Sequence, residues 1–387
     1  MKNPMTLITN TADLSAFCDR LASAAYVTVD TEFMREKTYY PQLCLVQVAG
    51  PDEAAAIDPL ADGIDLSPLF ALLANPAVLK VFHAARQDLE IFFNLTGTVP
   101  APLFDTQVAA MVCGFGDSVG YETLITKLTN ARIDKSSRFT DWSNRPLTDR
   151  QLTYALSDVT HLRPAYEKIR RRLDKTGREQ WLADEMAILT SPDTYRQDPD
   201  ESWRRLKPRT DKPRFIAVLK ELCAWREREA QRKDIPRNRV VRDETLMEIA
   251  AHTPSTVDDL GRTRGLGPSM AAGRYGTEIL AAIEKARSLP DSALPRTEPR
   301  AELPAGIAPT VELLRVLLKL VCDDEDVASR LVANAADLEA IAADDNAKVQ
   351  AMTGWRFDLF GRQALALKHG KLALAMENRK VKLVNLD

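Results

Sequence analysis

The sequence predicts an α/β domain, a mixed sheet with flanking helices, followed by two small all-α modules. Three observations lead there. The first two hundred residues hold short β-type runs followed by alternating helices and strands, strand signals disappear beyond Arg209, and two seams rich in Pro and polar residues divide the chain.

Taken in order, Ala25–Asp30, Leu43–Val48 and Ala54–Ile57 are short runs bounded by turn residues and read as three consecutive strands, and Leu79–Phe82 adds another. Asp65-Leu66-Ser67 opens an apolar-periodic stretch to Leu73, and a helix over Ala84–Leu95 places Leu89, Phe92 and Phe93 on one side. Thr148 and Gln151 form a capping-box pattern that starts a further helix. Past Arg209, the segments Phe215–Leu222, Thr245–Ala250, Met270–Leu280 and Val311–Val321 are all helical in pattern. The seams run from Ser191 to Arg209 and from Ser288 to Pro304, where proline neither continues a helix nor serves a central strand. They set the expected domains at 1–200, 208–288 and 304–383.

The 387 residues are 45% hydrophobic, 28% charged and 6% aromatic, which excludes wholesale disorder and fibrous repeats and leaves room for a large core. Every apolar run is broken well short of the ~18 residues a membrane span needs. Met1-Lys2-Asn3-Pro4 leads into polar residues rather than a secretory apolar region, so the cytoplasm is the expected compartment and no membrane partner is expected. The five cysteines, Cys18, Cys44, Cys113, Cys223 and Cys322, are too scattered for a disulfide framework or a C-x-x-C site. Of four histidines no two stand at i, i+4, which argues against a histidine-rich metal site. Nothing demands a dimer or an obligate protein partner, so a monomer is expected.

The net charge of −3 conceals a basic middle. Glu201–Arg242 holds fourteen Lys/Arg against six Asp/Glu, whereas Val321–Gln350 holds eight acidic residues against two basic. Such asymmetry suggests a polyanion approached from one side, with solvated helix faces as the milder explanation.

The chemistry begins at Val29-Asp30-Thr31-Glu32-Phe33. Side chains alternate along a strand, so Asp30 and Glu32 leave the same face, separated by roughly 7 Å of rise. Two adjacent carboxylates repel unless a cation lies between them, and hard oxygen donors favour Mg²⁺ or Mn²⁺ over zinc; a solvent-exposed strand exit is the plain alternative. Asp88 falls in the first or second turn of its helix, where the helix dipole stabilises a carboxylate whether or not it binds anything. Tyr154 and Asp158 are an i, i+4 pair on one helical face, which would also suit a core tyrosine with a satisfied hydroxyl. Together Asp30, Glu32, Asp88 and Asp158 would supply four negative charges, enough for two divalent ions around a phosphodiester, with Tyr154 orienting the attacking water.

Asp30-Thr31-Glu32, then Asp88, then Tyr154-x-x-x-Asp158 resemble the three exonuclease motifs of the DEDD superfamily, in the subgroup with tyrosine in the third motif. The stretches Val29–Phe33, Leu43–Gln47, Phe82–Asp88 and Asp141–Leu147 are similar to those of the ribonuclease D family, and the resemblance covers essentially the whole chain. Residues from about Pro208 to Ala286 resemble an HRDC domain, and Ala305 to about Val381 a second, more diverged copy. The resemblance implies a ribonuclease H-like α/β exonuclease domain followed by two all-α HRDC-like domains. It also implies a 3′–5′ exoribonuclease that uses two divalent ions, Mg²⁺ or Mn²⁺, releases nucleoside 5′-monophosphates and trims precursor tRNAs and other small structured RNAs. It makes Asp30, Glu32, Asp88 and Asp158 the metal ligands and Tyr154 the water-orienting group. All five positions are filled, and Thr153 stands where the sister subgroup has histidine.

Beside the second motif, His83 and Gln87 are candidate contacts to the terminal nucleotide, and Phe33 is a candidate to stack against its base, with structural roles as the alternatives. Asp105 reads as a helix N-cap and His161 as packing or a local hydrogen-bond partner. The segments Trp203–Lys207, Trp225–Arg228 and Arg237–Arg242 mix arginine with aromatics, which suits phosphate contact and stacking on RNA. Two rivals stand beside the enzyme: an RNA-binding adaptor on an exonuclease-like fold, and a DNA-directed 3′–5′ exonuclease. The filled motif positions favour catalysis, and the paired HRDC-like modules without a polymerase segment speak against the DNA-directed reading.

Overall fold

The computed structural model describes residues 6–134, 136–208, 210–295 and 304–386. The Met1–Pro4 start, the Arg209 boundary and residues 296–303 of the second seam lie outside them. The elements run β1 (Thr6–Ile8), α1 (Thr11–Leu21), β2 (Tyr26–Met34), β3 (Gln42–Ala49), β4 (Ala54–Ile57), α2 (Ser67–Ala74), β5 (Leu79–Phe82), α3 (Arg86–Thr96), β6 (Leu103–Asp105) and α4 (Thr106–Val112). Next come α5 (Tyr121–Thr129), α6 (Asp149–Thr160), α7 (Leu162–Thr176) and α8 (Ala183–Thr190). The helical middle holds α9 (Pro213–Lys233), α10 (Arg237–Val240), α11 (Asp243–His252), α12 (Val257–Gly261), α13 (Pro268–Ala272) and α14 (Arg274–Arg287). The last part holds α15 (Ala308–Asp324), α16 (Ser329–Val332), α17 (Ala335–Ala343), α18 (Gly354–Arg356), α19 (Arg362–Lys368), β7 (Leu372–Glu377) and β8 (Lys380–Asn385).

Six strands form one sheet in the order β1-β4-β3-β2-β5-β6. β4 runs antiparallel to β3 and parallel to β1, while β2–β5 and β5–β6 are parallel, so the sheet is mixed as the strand pattern predicts. The two edge strands escaped the sequence reading because three residues are too few to show a period of two. β2 lies between β3 and β5, and its pairing carries the strand on to Met34, so Asp30 and Glu32 sit within it rather than at its exit.

The compact units are not consecutive along the chain. One takes its described residues from Met1–Glu32, Cys44–Thr194 and Ala301–Asp387, and the other from Phe33–Leu43 and Tyr195–Arg300. In the second unit α9 buries Leu219, Leu222 and Cys223 in a helical core with Leu246, Ile249, Leu260 and Ile279. Tyr39, from the β2–β3 connection, packs on this core, and its hydroxyl bonds Glu227 and accepts from Arg237. The basic stretch is largely committed to its own unit. Among the described residues seven of its cations form ion pairs there, among them Arg226 with Asp243, Arg237 with Glu227, and Arg232 and Lys233 with Glu229. Composition therefore overstates the positive charge left for RNA.

The first unit joins the sheet's helices to the last module through one continuous core, which holds Ala109, Val112 and Leu173 together with Leu314, Leu318 and Val332. Gly114 allows the approach: its φ is +75°, and a Cβ there would lie 2.9 Å from the Asp326 carbonyl oxygen. Trp181 and Trp355 stack with centroids 4.3 Å apart and planes 4° from parallel. Beside them the buried Arg356 donates to the Leu331 carbonyl at 2.8 Å, to Asp184 at 3.1 Å and to Glu185 at 2.6 Å.

The last module is not purely helical. β7 and β8 pair antiparallel from Leu372↔Asn385 to Glu377↔Lys380 around Asn378-Arg379, both at positive φ as a tight hairpin requires. The sequence concealed this hairpin because its turn lacks glycine and lysines and a glutamate interrupt the apolar pattern. All five cysteines are buried and none forms a disulfide. Among the described residues no helix is long and apolar enough to cross a membrane.

Because Arg356 joins two parts of one core, Arg356→Ala should lower the stability of this unit by about 3 kcal/mol, through the cavity left by a large buried side chain and the Leu331 carbonyl left without its donor. Urea denaturation followed by tryptophan fluorescence checks this. An unchanged midpoint would show that the guanidinium contributes nothing to joining them.

Candidate active site

β2 is the base of the site. Alternation places Thr28, Asp30 and Glu32 on one face, and Val27, Val29 and Thr31 on the other. α6 crosses the first of these faces. The buried Thr28 hydroxyl donates to the Val159 carbonyl at 2.8 Å, and this fixes the neighbouring Asp158 against the acidic end of the strand. Carboxylate oxygens of Asp30, Glu32 and Asp158 all lie within 4.8 Å of one another.

Each end of α6 is pinned. Its start carries the capping box read from the sequence: the Thr148 N–H donates to Gln151 Oε1 at 3.0 Å and the Gln151 N–H to Thr148 Oγ1 at 3.2 Å. Just upstream, Arg145 grips Asp58 with two hydrogen bonds of 2.7 and 2.6 Å and donates to the Cys44 carbonyl at 2.7 Å, which ties this segment to the sheet. At the far end the Tyr121 hydroxyl meets the Asp158 carbonyl at 2.6 Å and the Ser157 carbonyl at 3.0 Å. His161 Nδ1 lies 3.0 Å from the same Ser157 carbonyl, the local role expected for it.

Asp88 arrives in the first turn of α3, as the sequence suggested, and is buried. Its carboxylate accepts from Thr31, on the opposite face of β2 from Asp30 and Glu32. It stands outside the 4.8 Å triplet, yet its charge is felt at Glu32, and it feels that of Asp30 in turn. Asp105 positions the turn before α3. It caps α4, as expected, by accepting from Gln107 N at 2.7 Å, and it also takes the N–H groups of Ala84 at 3.0 Å and Ala85 at 2.8 Å. Ala84 is held there at φ +59°, a conformation unfavourable for alanine that the buried carboxylate stabilises.

The electrostatics follow from burial and crowding. Burial, then the charge of Asp158, raises the Asp30 carboxyl well above its ordinary range. Burial with the three neighbouring acids pushes Glu32 up to about 10. Asp88 is raised by burial and by Asp30. Burial also lifts Asp158, to about 7, against the opposing hydrogen bond of Tyr154 and the charge of Arg138. Tyr154 keeps its proton because burial and the surrounding carboxylates disfavour a phenolate. The cluster is short of positive charge.

Asp30, Tyr154 and Asp158 line a cleft of ≈ 280 Å³, together with His83, Tyr121, Arg138 and others. That is the small end of ligand clefts, which run to about 300–1,000 Å³. His83 lies in its wall, half-buried, with Nδ1 3.0 Å from Thr106 Oγ1. Gln87 is exposed on α3, and Phe33 is half-buried in β2; neither lines the cleft. The sequence reading missed Arg138, Tyr121, Arg145 and Asp58, which are lone residues in connections or bond across the fold. Only Arg145, inside the Asp141–Leu147 stretch, carried a signal in the chain.

A family model for 3′–5′ exonucleases matches residues 5–174, and one for the HRDC domain matches residues 215–283. The chain is 52% identical over 380 residues to ribonuclease D of Granulibacter bethesdensis, covering 98% of this chain and 96% of that protein. It is 52% identical over 383 residues to ribonuclease D of Acidiphilium cryptum, covering 98% and 97%. Among solved structures it is similar to Escherichia coli RNase D, described as an exoribonuclease involved in structured RNA processing. That match has 31% identity, a TM-score of 0.81, and coverage of 95% of this chain and 99% of that one.

The raised Glu32 carboxyl makes stability depend on pH. Its folded-state value near 10 lies above the 4.5 of an unfolded glutamate, so its contribution is fully present below about 4.5 and is lost as pH rises towards 10. With chelator present, the melting temperature should fall between about pH 6 and 9, and Glu32→Gln should flatten that fall. Mg²⁺ or Mn²⁺, by neutralising the carboxylates, should restore stability at the alkaline end. A flat wild-type profile in chelator would contradict this account.

Proposed function

The chain belongs to the ribonuclease D family and is a 3′–5′ exoribonuclease, and from that premise we propose that it trims the 3′ ends of precursor tRNAs and other small structured RNAs. In this reading hydrolysis uses two metal ions and releases nucleoside 5′-monophosphates. The observation that carries it is the convergence of Asp30, Glu32 and Asp158, with Asp30, Asp158 and Tyr154 lining one cleft and Tyr154 hydrogen-bonded to Asp158.

The donors are all carboxylate oxygens, crowded and uncompensated, which fits hard cations such as Mg²⁺ or Mn²⁺. Asp30, Glu32 and Asp158 would hold one, and Asp88 together with Asp30 the other. When bound, such a pair lowers the pKa of a water and stabilises the departing 3′-oxygen. Tyr154 donates its proton to Asp158, which leaves its oxygen as an acceptor that orients the attacking water. The water oxygen bonds to phosphorus as the P–O3′ bond breaks, so the phosphate leaves on the 5′ side of the terminal nucleoside. His83, from the cleft wall, would contact that nucleotide, with Phe33 and Gln87 as outer contacts. Residues 208–288 and 304–383 serve as first and second HRDC-like modules that follow the exonuclease domain at 1–200 in the chain, and the protein works as a cytoplasmic monomer with no obligate protein partner.

RNA labelled at its 5′ end and carrying a single-stranded 3′ tail, incubated with Mg²⁺, Mn²⁺ or chelator, tests this reading. A ladder shortening from the 3′ end, lost with chelator and in Asp30→Asn, is expected; internal cleavage, or full activity in Asp30→Asn, would overturn it. Tyr154→Phe should slow turnover by roughly 10²-fold or more, the usual contribution of a positioned proton-transfer or orienting group, with nearly unchanged RNA affinity.

A further inference from the structure

The loop between α5 and α6 carries an adjacent arginine and phenylalanine whose roles neither the metal-binding acids nor the fold accounts for. Phe139 is 90% exposed, more than any other large apolar side chain among the described residues. A single exposed apolar residue is ordinary on a surface. Its neighbour makes this one informative. Arg138 lines the catalytic cleft, and its charge acts on Glu32, Tyr154 and Asp158. Arg138 has no ion-pair partner among the described residues; its guanidinium lies 5.2 Å from the centre of the Phe139 ring. An arginine that forms no close ion pair among the described residues, at the rim of an acidic cleft and backed by a solvated aromatic ring, is the pairing that single-stranded RNA binds: a cation for the phosphate and a flat face for the base.

The size of the cleft adds a constraint. A space of ≈ 280 Å³ suits one terminal nucleotide, so the next nucleotides must lie outside it, where Phe139 is exposed. Resting on the exoribonuclease reading of this site, we propose that Phe139 is a stacking platform for an unpaired base immediately upstream of the terminal nucleotide, and that Arg138 binds a phosphate beside it. The pair selects ends with an unpaired tail, because a base held in a duplex cannot present its face to the ring. Phe139 thus acts in specificity and Arg138 in substrate binding, separately from the carboxylates.

The test uses the full chain in single-turnover reactions on 5′-labelled RNA with an unpaired 3′ tail, and compares intact tails with tails bearing one abasic site at each upstream position in turn. Phe139→Ala should weaken half-saturation roughly ten-fold, within the range for losing one base stack, while the rate at saturation is kept and Phe139→Trp retains wild-type affinity. In the wild type one abasic position should weaken binding by a similar factor, and in Phe139→Ala that same position should no longer matter. Arg138→Gln should lower the slope of log affinity against log salt by about 0.7, the value for one phosphate contact on a single strand. If Phe139→Ala binds as the wild type does, or the abasic effect persists in it, the platform is refuted although metal-dependent trimming stands. If wild-type protein fails to shorten the tail at all, the exoribonuclease reading falls and this proposal falls with it.

Discussion

Holding like charges together against their repulsion is the constraint on which this molecule is organised. Asp30, Glu32 and Asp158 would separate in a flexible chain, since each raises the energy of ionising the others. Their approach is imposed by hydrogen bonds around them. The Thr28 hydroxyl fixes the Val159 carbonyl, Tyr121 holds the last turn of α6, and Arg145 on Asp58 secures the chain before its first turn. None of these groups needs to touch substrate. They spend folding energy to keep a site electron-rich, and a site prepared in this way gains most from cations and from a phosphate brought in by them.

The same logic explains why the last module is packed into the α/β unit. Helices α4 and α7, which flank the sheet, share one buried core with α15 and α16. Arg356 and the Trp181–Trp355 stack close the junction, so the acidic composition of this module does not make it a detached tail. A platform for crowded carboxylates has to be stiff, and a continuous core supplies stiffness that a sheet with edge strands of three residues would lack. In the other unit, charge is turned inward. Glu229, only 5% exposed on its side chain, gathers Arg232, Lys233 and Arg274, which builds a helical core with polar fasteners and leaves fewer cations for RNA than the count of arginines implies.

Local chemistry was legible in the sequence wherever it depended on neighbours in the chain. The capping box of Thr148 and Gln151, the N-cap of Asp105, the helical phase that puts Tyr154 beside Asp158, and the placement of Asp88 in a first turn all follow from spacings of two to four residues. The strands Ala54–Ile57 and Leu79–Phe82 were legible for the same reason. The C-terminal hairpin was not, because its pairing is decided by cross-strand partners and by two residues at positive φ that carry no glycine signal.

The sequence by itself determined which residue types stand where: four acids and a tyrosine in a recognisable order, a mixed α/β pattern, and helical modules after it. The tertiary structure decided their meeting. Asp58 and Arg145 lie 87 residues apart, and Thr28 and Val159 lie 131 apart, yet these pairs set the position of α6 on β2. It also decided that Asp88 approaches by way of Thr31, that Arg138 faces the acids, and that much of the basic stretch is paired within its own unit. The physical reason is that backbone periodicity acts over a few residues, whereas burial and hydrogen bonding across the fold depend on which faces pack together, and that choice is made only when the whole core closes.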